Sequence, residues 1–272
     1  MEIGNFYVVA TPIGNLKDMT LRAIEVLKSV EYIACEDTRV TKKLLDKYEI
    51  TSKLFDYHKF NERECSQKII NLLESGNSVA LVSDAGTPGI SDPGRILFEE
   101  LYNKNIKIIP IPGASAVTSF LSVLPRENEL FAFLGFAPKS QKQQEELFIK
   151  HRNIHFLFYD SPNRLLDTLG NLESFFGNEL KVAVGRELTK MYEEIKIGTV
   201  SELIDYYSNN VLKGEIVVMV YPESEAGLED SELIDKIKKL KKEGFSDKDI
   251  SKIISSLFDA NKNKVYKTSL NL

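Results

Sequence analysis

Two cysteines in 272 residues, Cys35 and Cys65, are too few for a disulfide framework and lack the spacing of a zinc site. That points to a reducing cytoplasm. No apolar run approaches the ~20 residues that cross a bilayer, and the first residues lack the basic-then-apolar order of a secretory leader. The chain is therefore expected to be cytoplasmic, with neither a membrane nor a metal among its partners. There is no repeat at solenoid periods and no low-complexity tract. Only three histidines occur, so imidazole chemistry has few candidates. Neither charge dominates, and a net charge of −5 taken alone argues against nucleic acid. The distribution differs from the sum. Residues 231–272 hold ten Lys against six Asp/Glu, a net +4, which leaves −9 on residues 1–230. An acidic body carries a basic tail.

What is present reads as an ordinary globular protein, 43% hydrophobic and 28% charged, long enough for about two domains. Its central stretch is Leu81 to Gly94, LVSDAGTPGISDPG. The β-branched run Ser78 to Val82 predicts a buried strand, and two glycines and a proline then break regular structure before a helical pattern begins at Arg95. A strand running through a glycine-rich turn into a helix is the layout of ligand sites at the carboxyl edge of parallel sheets. Asp84 adds an acceptor at the rim. The plainer reading is a long connection whose glycines only permit tight turns.

The preceding chain alternates in the same way. A strand over Phe6 to Ala10 ends in Thr11-Pro12-Ile13-Gly14-Asn15, with Thr20 as N-cap of a helix from Leu21. A single glycine in that turn rules out the G-x-G-x-x-G dinucleotide fingerprint and weakens a nicotinamide-dependent dehydrogenase as a rival reading. A second strand closes on Glu36-Asp37-Thr38-Arg39. Two carboxylates and an arginine at a strand's end fit an active site, and equally an N-cap with a surface ion pair. A third strand, Lys53 to Tyr57, leads to His58, either a solvent-exposed loop histidine or a proton acceptor. A helix follows over Ser66 to Glu74. The strand Ile106 to Ile109 ends in PIPGASA, whose small residues permit close backbone approach and whose Ser115 can offer a hydroxyl at the next helix.

After a polar hinge at Leu124 to Asn128, a second α/β set runs through strands near 131–136, 154–159, 181–187, 192–197 and 215–221. An acidic linker over 222–230 precedes two amphipathic helices, Ser231 to Lys242 and Asp247 to Phe258, hinged at Gly244. The lysines of that pair, as a surface run, most simply solvate a helix face. The expected architecture is α/β: an N-terminal domain over 1–123, a second α/β domain over 124–223, and a small basic helical appendix over 231–272.

The ordered set VATPIGNLKDMTLRA, EDTR, YHKFNE, SDAGTPGISDPG, PIPGASA, FLGFAP, FYDSPNRLLDTL, VGRELTKMYEEI and GEIVVMV resembles the bacterial 16S rRNA (cytidine-2′-O)-methyltransferases of the tetrapyrrole methylase superfamily. The resemblance covers nearly all of residues 6–221. It implies two α/β domains with S-adenosylmethionine in the cleft between them, a homodimer, and as substrate the ribose of a cytidine in the decoding centre of 16S rRNA within the small ribosomal subunit. By position it implies that Pro12, Asp84, Ala85, Gly86, Thr87, Ile90, Ser115 and Ala116 hold the cofactor from the first domain. Leu134, Tyr159, Asp160, Arg186 and Gly214 would hold it from the second. A ribose hydroxyl is weakly acidic and benefits from a nearby acceptor, for which Glu36, Asp37 and His58 are the candidates, while Arg39 is a candidate for a phosphate. Two positions depart from the family pattern. Asn163 stands where histidine is usual and cannot relay a proton, and Gly185 stands where alanine is frequent and is expected only to loosen the backbone. Other readings are a tetrapyrrole C-methyltransferase, set back by SDAGTP in place of a G-G-D-P-type loop, and a non-catalytic ribosome-binding factor.

Overall fold

The computed structural model describes residues 2–125, 130–210, 212–222, 230–258, 260 and 262–272. The core of the expected hinge (126–129) and of the acidic linker (223–229) lies outside the described residues.

The first unit is a five-stranded sheet built from β1 (Phe6–Val9), β2 (Tyr32–Cys35), β3 (Lys53–Asp56), β4 (Val79–Leu81) and β5 (Ile108–Ile111). Their order is β3-β2-β4-β1-β5, and every pairing is parallel. Strands buried on both faces need helices on both faces. Here α1 (Leu21–Ser29) and α2 (Thr38–Tyr48) cover one side, where Leu27, Leu44 and Leu45 meet Val9 and Ile33. On the other side α3 (Glu62–Glu74) and α4 (Arg95–Asn103) set Ile69, Leu73, Leu97 and Leu101 against Phe6 and Leu81. The side chain of Thr20 accepts from Ala23 N, the cap its position predicts. β5 runs two residues past its expected end, through Pro110. It can do so because it is an edge strand, where proline's missing N–H removes no ladder bond. Helix α3 begins four residues before its apolar periodicity, at Glu62.

Chain direction reverses at the middle of this sheet. From β1 the chain moves through α1 to β2, and from β4 it moves through α4 to β5, so adjacent strands β1 and β4 send their connections to opposite faces. That is a topological switch point, where a crevice opens beyond the carboxyl ends. Across it Thr11 and Gly86 exchange backbone bonds of 2.8 and 3.1 Å.

The second unit orders β6 (Phe131–Phe136), β7 (His155–Asp160), β8 (Lys181–Arg186), β9 (Glu194–Thr199) and β10 (Ile216–Tyr221) as β6-β7-β10-β8-β9. Only β6 and β7 are parallel; β10 runs antiparallel between β7 and β8. Helices α6 (Gln141–Lys150), α7 (Leu165–Phe176) and α8 (Val200–Ser208) bury one face. The opposite face packs on the first unit. There Ile13 and the short helix α5 (Ala116–Leu121), through Val117, Phe120 and Leu121, meet Leu157, Ala183, Val217 and Met219. Gly185 belongs to this seam. A Cβ there would lie 2.7 Å from Phe120 Cε2 and 3.0 Å from Val217 Cγ1, so the glycine makes room for a ring between the units rather than loosening the strand.

The C-terminal part holds three helices, not two: α9 (Asp230–Lys242), α10 (Asp247–Phe258) and α11 (Lys262–Leu270). The third carries almost no apolar periodicity; packing holds it, with the buried Ser269 hydroxyl donating to Asp247 of α10. Val265 is fully buried against Leu233, Ile237, Ile250 and Ile254. No helix among the described residues is long and apolar enough to cross a membrane.

Candidate active site

Beyond the carboxyl ends of β1, β4 and β5, and against β7, β8 and β10, lies a cavity of about 390 Å³. From the first unit it is lined by Ile13, Asp84 to Thr87, Ile90 to Asp92, Ser115 and Ala116. Phe136, Tyr159 to Pro162, Gly185, Leu188 and Gly214 to Val217 line it from the second. A smaller chamber of about 230 Å³ adjoins it, lined by Thr11, Pro12, Gly14, Leu16, Val40, Thr41, Leu44, Ser83 and Lys190. Ile13, Asp84, Ala85 and Glu215 belong to both walls.

The glycine-rich loop is held by its own hydroxyls. Thr11 Oγ1 donates to Ser83 O at 3.0 Å, Ser83 Oγ to Gly86 O at 3.2 Å, and Thr87 Oγ1 to Ala114 O at 3.2 Å. Asp84 Oδ1 accepts from Asp37 N at 2.9 Å, which ties this loop to the turn after β2. Burial raises the Asp84 carboxyl, against the lowering by that N–H. Asp92, on the same loop, is pushed up to about 6 by burial and by the charges of Glu36 and Asp84. Glu36 is raised by burial and by Asp84, with His58 pulling it down. Two carboxylates, Asp84 and Asp92, thus stand in the first-unit wall, with Glu36 outside it adding its charge.

The second-unit wall is held differently. The Asp160 side chain is fully buried; its Oδ1 accepts from Ser161 N at 2.8 Å and pairs with Arg164 Nη2 at 2.8 Å. Arg164 also donates through Nη1 to Ala137 O and Pro138 O, at 3.1 and 3.2 Å. Asp160 Oδ2 has no partner among the described residues. A buried acceptor left open in a cavity wall is a place for a ligand donor. Gly214 allows a close approach: a Cβ there would stand 2.2 Å from the Glu187 carboxyl, whose Oε1 accepts from Glu215 N at 3.0 Å and from Lys190 Nζ at 2.8 Å.

Of the residues read from the sequence, Asp84, Ala85, Gly86, Thr87, Ile90, Ser115, Ala116, Tyr159, Asp160 and Gly214 line the larger cavity, and Pro12 lines the smaller. Leu134 packs on the helical core instead, and Arg186 faces Glu194 at 3.5 Å; neither lines a cavity. Glu36, Asp37, Arg39 and His58 line neither chamber. Asp37 caps α2 by accepting from Arg39 N and pairs with the exposed Arg39 guanidinium at 2.6 Å, which pulls its carboxyl down to about 2. The cap reading of that turn is the one realised. Ser115 caps α5 without a side-chain bond, and Asn163 is exposed and lines neither chamber. Asp92, Phe136, Ser161, Leu188 and Glu215 were missed. Asp92 carried a signal of its own, in a second Asp-bearing turn of one loop, and the other four lie inside motifs on which the family resemblance rests.

A concave, mostly apolar cleft of this size with a few convergent polar groups is the usual form of a small-molecule site. Its carboxylates suit a ligand with cationic groups, its open Asp160 oxygen suits a donor, and the Ser115–Ala116 turn leaves backbone accessible. No group of three metal-ligating side chains occurs among the described residues.

Comparison with known proteins fits this geometry. Residues 5–204 match the family profile described as Tetrapyrrole (Corrin/Porphyrin) Methylases. A Synechocystis protein named ribosomal RNA small subunit methyltransferase I is 38% identical over 275 residues, 99% of either chain. One of the same name from Mycoplasmopsis pulmonis is 46% identical over 220 residues, which make up 80% of this chain but 98% of that one. The crystallised cobalt precorrin-4 methyltransferase shares the fold at a TM-score of 0.61 and 16% identity, over 79% of this chain and 94% of its own. Identity of this order over this much of each chain makes the protein a methyltransferase of the tetrapyrrole (corrin/porphyrin) methylase family, in the group named ribosomal RNA small subunit methyltransferase I.

Proposed function

We propose that the protein transfers a methyl group from S-adenosylmethionine to the ribose 2′-oxygen of a cytidine in the decoding centre of small-subunit ribosomal RNA. The observation that carries this reading is the pair of adjoining chambers that share Asp84 and Glu215 in one wall. A two-substrate transfer needs donor and acceptor side by side, because alignment of the reacting atoms supplies much of the acceleration. The larger chamber suits the donor. Asp84 and Asp92 would face its cationic groups, Asp160 Oδ2 would accept one of its N–H or O–H groups, and the Ser115–Ala116 backbone would border its base. Bound there, S-adenosylmethionine supplies an electrophilic methyl group. The smaller chamber, walled by Pro12, Leu16 and Val40, takes the acceptor sugar, whose hydroxyl proton needs a carboxylate or imidazole within reach.

The substrate assignment rests on the names of the relatives and on the basic appendix, whose lysines would neutralise phosphates. Incubating the protein with labelled S-adenosylmethionine and undermethylated small ribosomal subunits, then mapping the label, tests it. The expected product is one 2′-O-methylcytidine. Label on a base, or none on RNA, would overturn the proposal. A chain ending near Tyr221 should still bind the methyl donor but bind subunits with a shallower salt dependence; an unchanged slope would remove the RNA role of the appendix.

A further inference from the structure

Phe60 is 96% exposed, yet the loop that carries it is rigidly held. Tyr57 N donates to Cys35 O at 2.7 Å, and His58 N to Asn61 Oδ1 at 2.9 Å. Asn61 returns a bond to His58 O at 3.0 Å and another to Asp56 O at 3.3 Å. Glu62 then fixes the loop to the cavity wall. Its Oε1 accepts from Gly94 N at 3.0 Å, Ile96 N at 3.1 Å and the Tyr57 hydroxyl at 3.2 Å. Gly94 ends the loop that lines the larger chamber, and α4 has no side-chain cap of its own, so Glu62 serves two elements. An apolar ring on such a pedestal is held out to solvent by structure, not by slack.

Three features define what the ring faces. The loop leaves the carboxyl end of β3, on the sheet edge where the chambers open. The ring of His58 meets that of Phe60 edge-on at 6.0 Å. Lys59 and Arg63 are exposed in the same segment, and Lys68 lies over the Phe55 ring at 4.1 Å. Exposed Asp56 and Glu64 stand among them, and the Glu62 carboxylate is turned inward. In a body of residues 1–230 that carries −9, three exposed cations against two exposed carboxylates give this segment a small local excess of positive charge beside a bare aromatic face.

Aromatic rings flanked by cations are how proteins hold unpaired nucleotides: the ring stacks on a base and the cations take phosphates. From this geometry we infer that Phe60 is a stacking platform for an unpaired base next to the methylated nucleotide, with Lys59 on the adjoining phosphate. This rests on the proposed RNA substrate and adds how that RNA is gripped. A second copy of the chain packing on the ring is the competing occupant, and the local excess of cations, with Lys59 next to the ring in sequence, argues for a polyanion.

The test uses the full chain, Phe60→Ala and Phe60→Trp, with undermethylated small ribosomal subunits as ligand. Loss of one stacked base weakens binding about 5- to 100-fold. Phe60→Ala should therefore raise the KM for subunits by that factor with kcat far less changed. Donor affinity by calorimetry, melting temperature and the sedimentation of the free protein should stay as in the wild type. The chain contains no tryptophan, so Phe60→Trp introduces a single emitter. It should keep wild-type affinity, and its emission should be quenched when subunits are added. If Phe60→Ala binds subunits like the wild type, or loses self-association instead, the stacking role is overturned. A wild-type protein that neither binds nor methylates subunits would bring down the proposed substrate as well.

Discussion

The two α/β units wall one cleft by opposite means. In the first, all five strands are parallel, so every carboxyl end lies on the same edge and the site is made of loops. In the second, β10 runs against β7 and β8, so the cleft meets the ends of β7 and β8 and the beginning of β10. Asp160 and Arg186 stand opposite Ile216 in that register, and the strand residues themselves supply the wall. Charge follows the same division. The first unit brings Glu36, Asp84 and Asp92 together with little compensation, whereas the second pairs Asp160 with Arg164 and Glu215 with Lys190. Uncompensated charge in a half-buried wall is costly to the fold and useful to chemistry. The first unit should therefore govern reaction and the second rigidity.

The largest expected effect tests the chemical half of that division. At least one of Glu36→Gln and His58→Ala should lower the single-turnover methylation rate by about 10²–10⁴-fold, the usual contribution of a proton acceptor, with donor affinity nearly intact. Neither residue lines a chamber, so full rates in both would place the acceptor elsewhere. Glu215→Gln, in the paired wall, should do much less. Asp37→Asn should not join the first group, because its carboxylate already caps α2 and holds Arg39. If Glu215→Gln proved the most damaging, the division would be reversed.

Rigidity is tested next. Arg164→Ala strands a buried carboxylate and removes the bonds to Ala137 O and Pro138 O. Loss of one partner of a buried pair costs about 3–5 kcal/mol, visible as a lower urea midpoint. The matching change in the first unit, Arg39→Ala, breaks a pair whose arginine side chain is 88% exposed and should barely move that midpoint. Equal losses would mean that burial does not separate the two pairs.

Asp84→Ala probes the wall between the chambers. Removing a charge-assisted hydrogen bond to a ligand costs about 1.5–3 kcal/mol, so donor affinity should fall roughly ten- to a hundredfold in a protein that stays folded. The Asp37 N–H that Asp84 accepts also loses its partner, yet it sits at a helix start where water can replace it. Unchanged affinity by calorimetry would remove Asp84 from the donor site.

The same contrast explains what was legible in the sequence. Loops that bind through backbone announce themselves with glycine, proline and aspartate, so SDAGTPGISDPG and PIPGASA were readable, and the alternation of strand and helix gave both sheets. Glu215, Leu188 and Phe136 lie inside motifs that carry the family resemblance, but their place in the wall comes from antiparallel register and the contact between units, which spacing and periodicity do not reveal. Gly185 was misread for the same reason, since its partner Phe120 lies in the other unit. Helix α11 escaped because a single buried valine holds more of it than its periodicity does.

The smallest effect sharpens the division through pH. The Asp92 carboxyl sits at about 6 in the folded protein, against an ordinary 3.8. Between those values the folded state binds more protons than the unfolded, so each rise in pH lowers stability, and above about 6 the full penalty is present. Asp92→Asn removes it. Discounted for the partial exposure of the group, the gain at pH 7.5 should be about 1–2 kcal/mol, shrinking at pH 5 as the native carboxyl takes up its proton. Asp160→Asn should behave in the opposite sense. Its carboxylate is held by Arg164 and Ser161 N, so the amide destabilises the fold at both pH values. Urea unfolding of the two variants at both pH values separates the cases. An Asp92→Asn gain that did not diminish at pH 5 would show that packing, not the burial of a carboxylate with Glu36 and Asp84 as further charges, sets the cost of that wall.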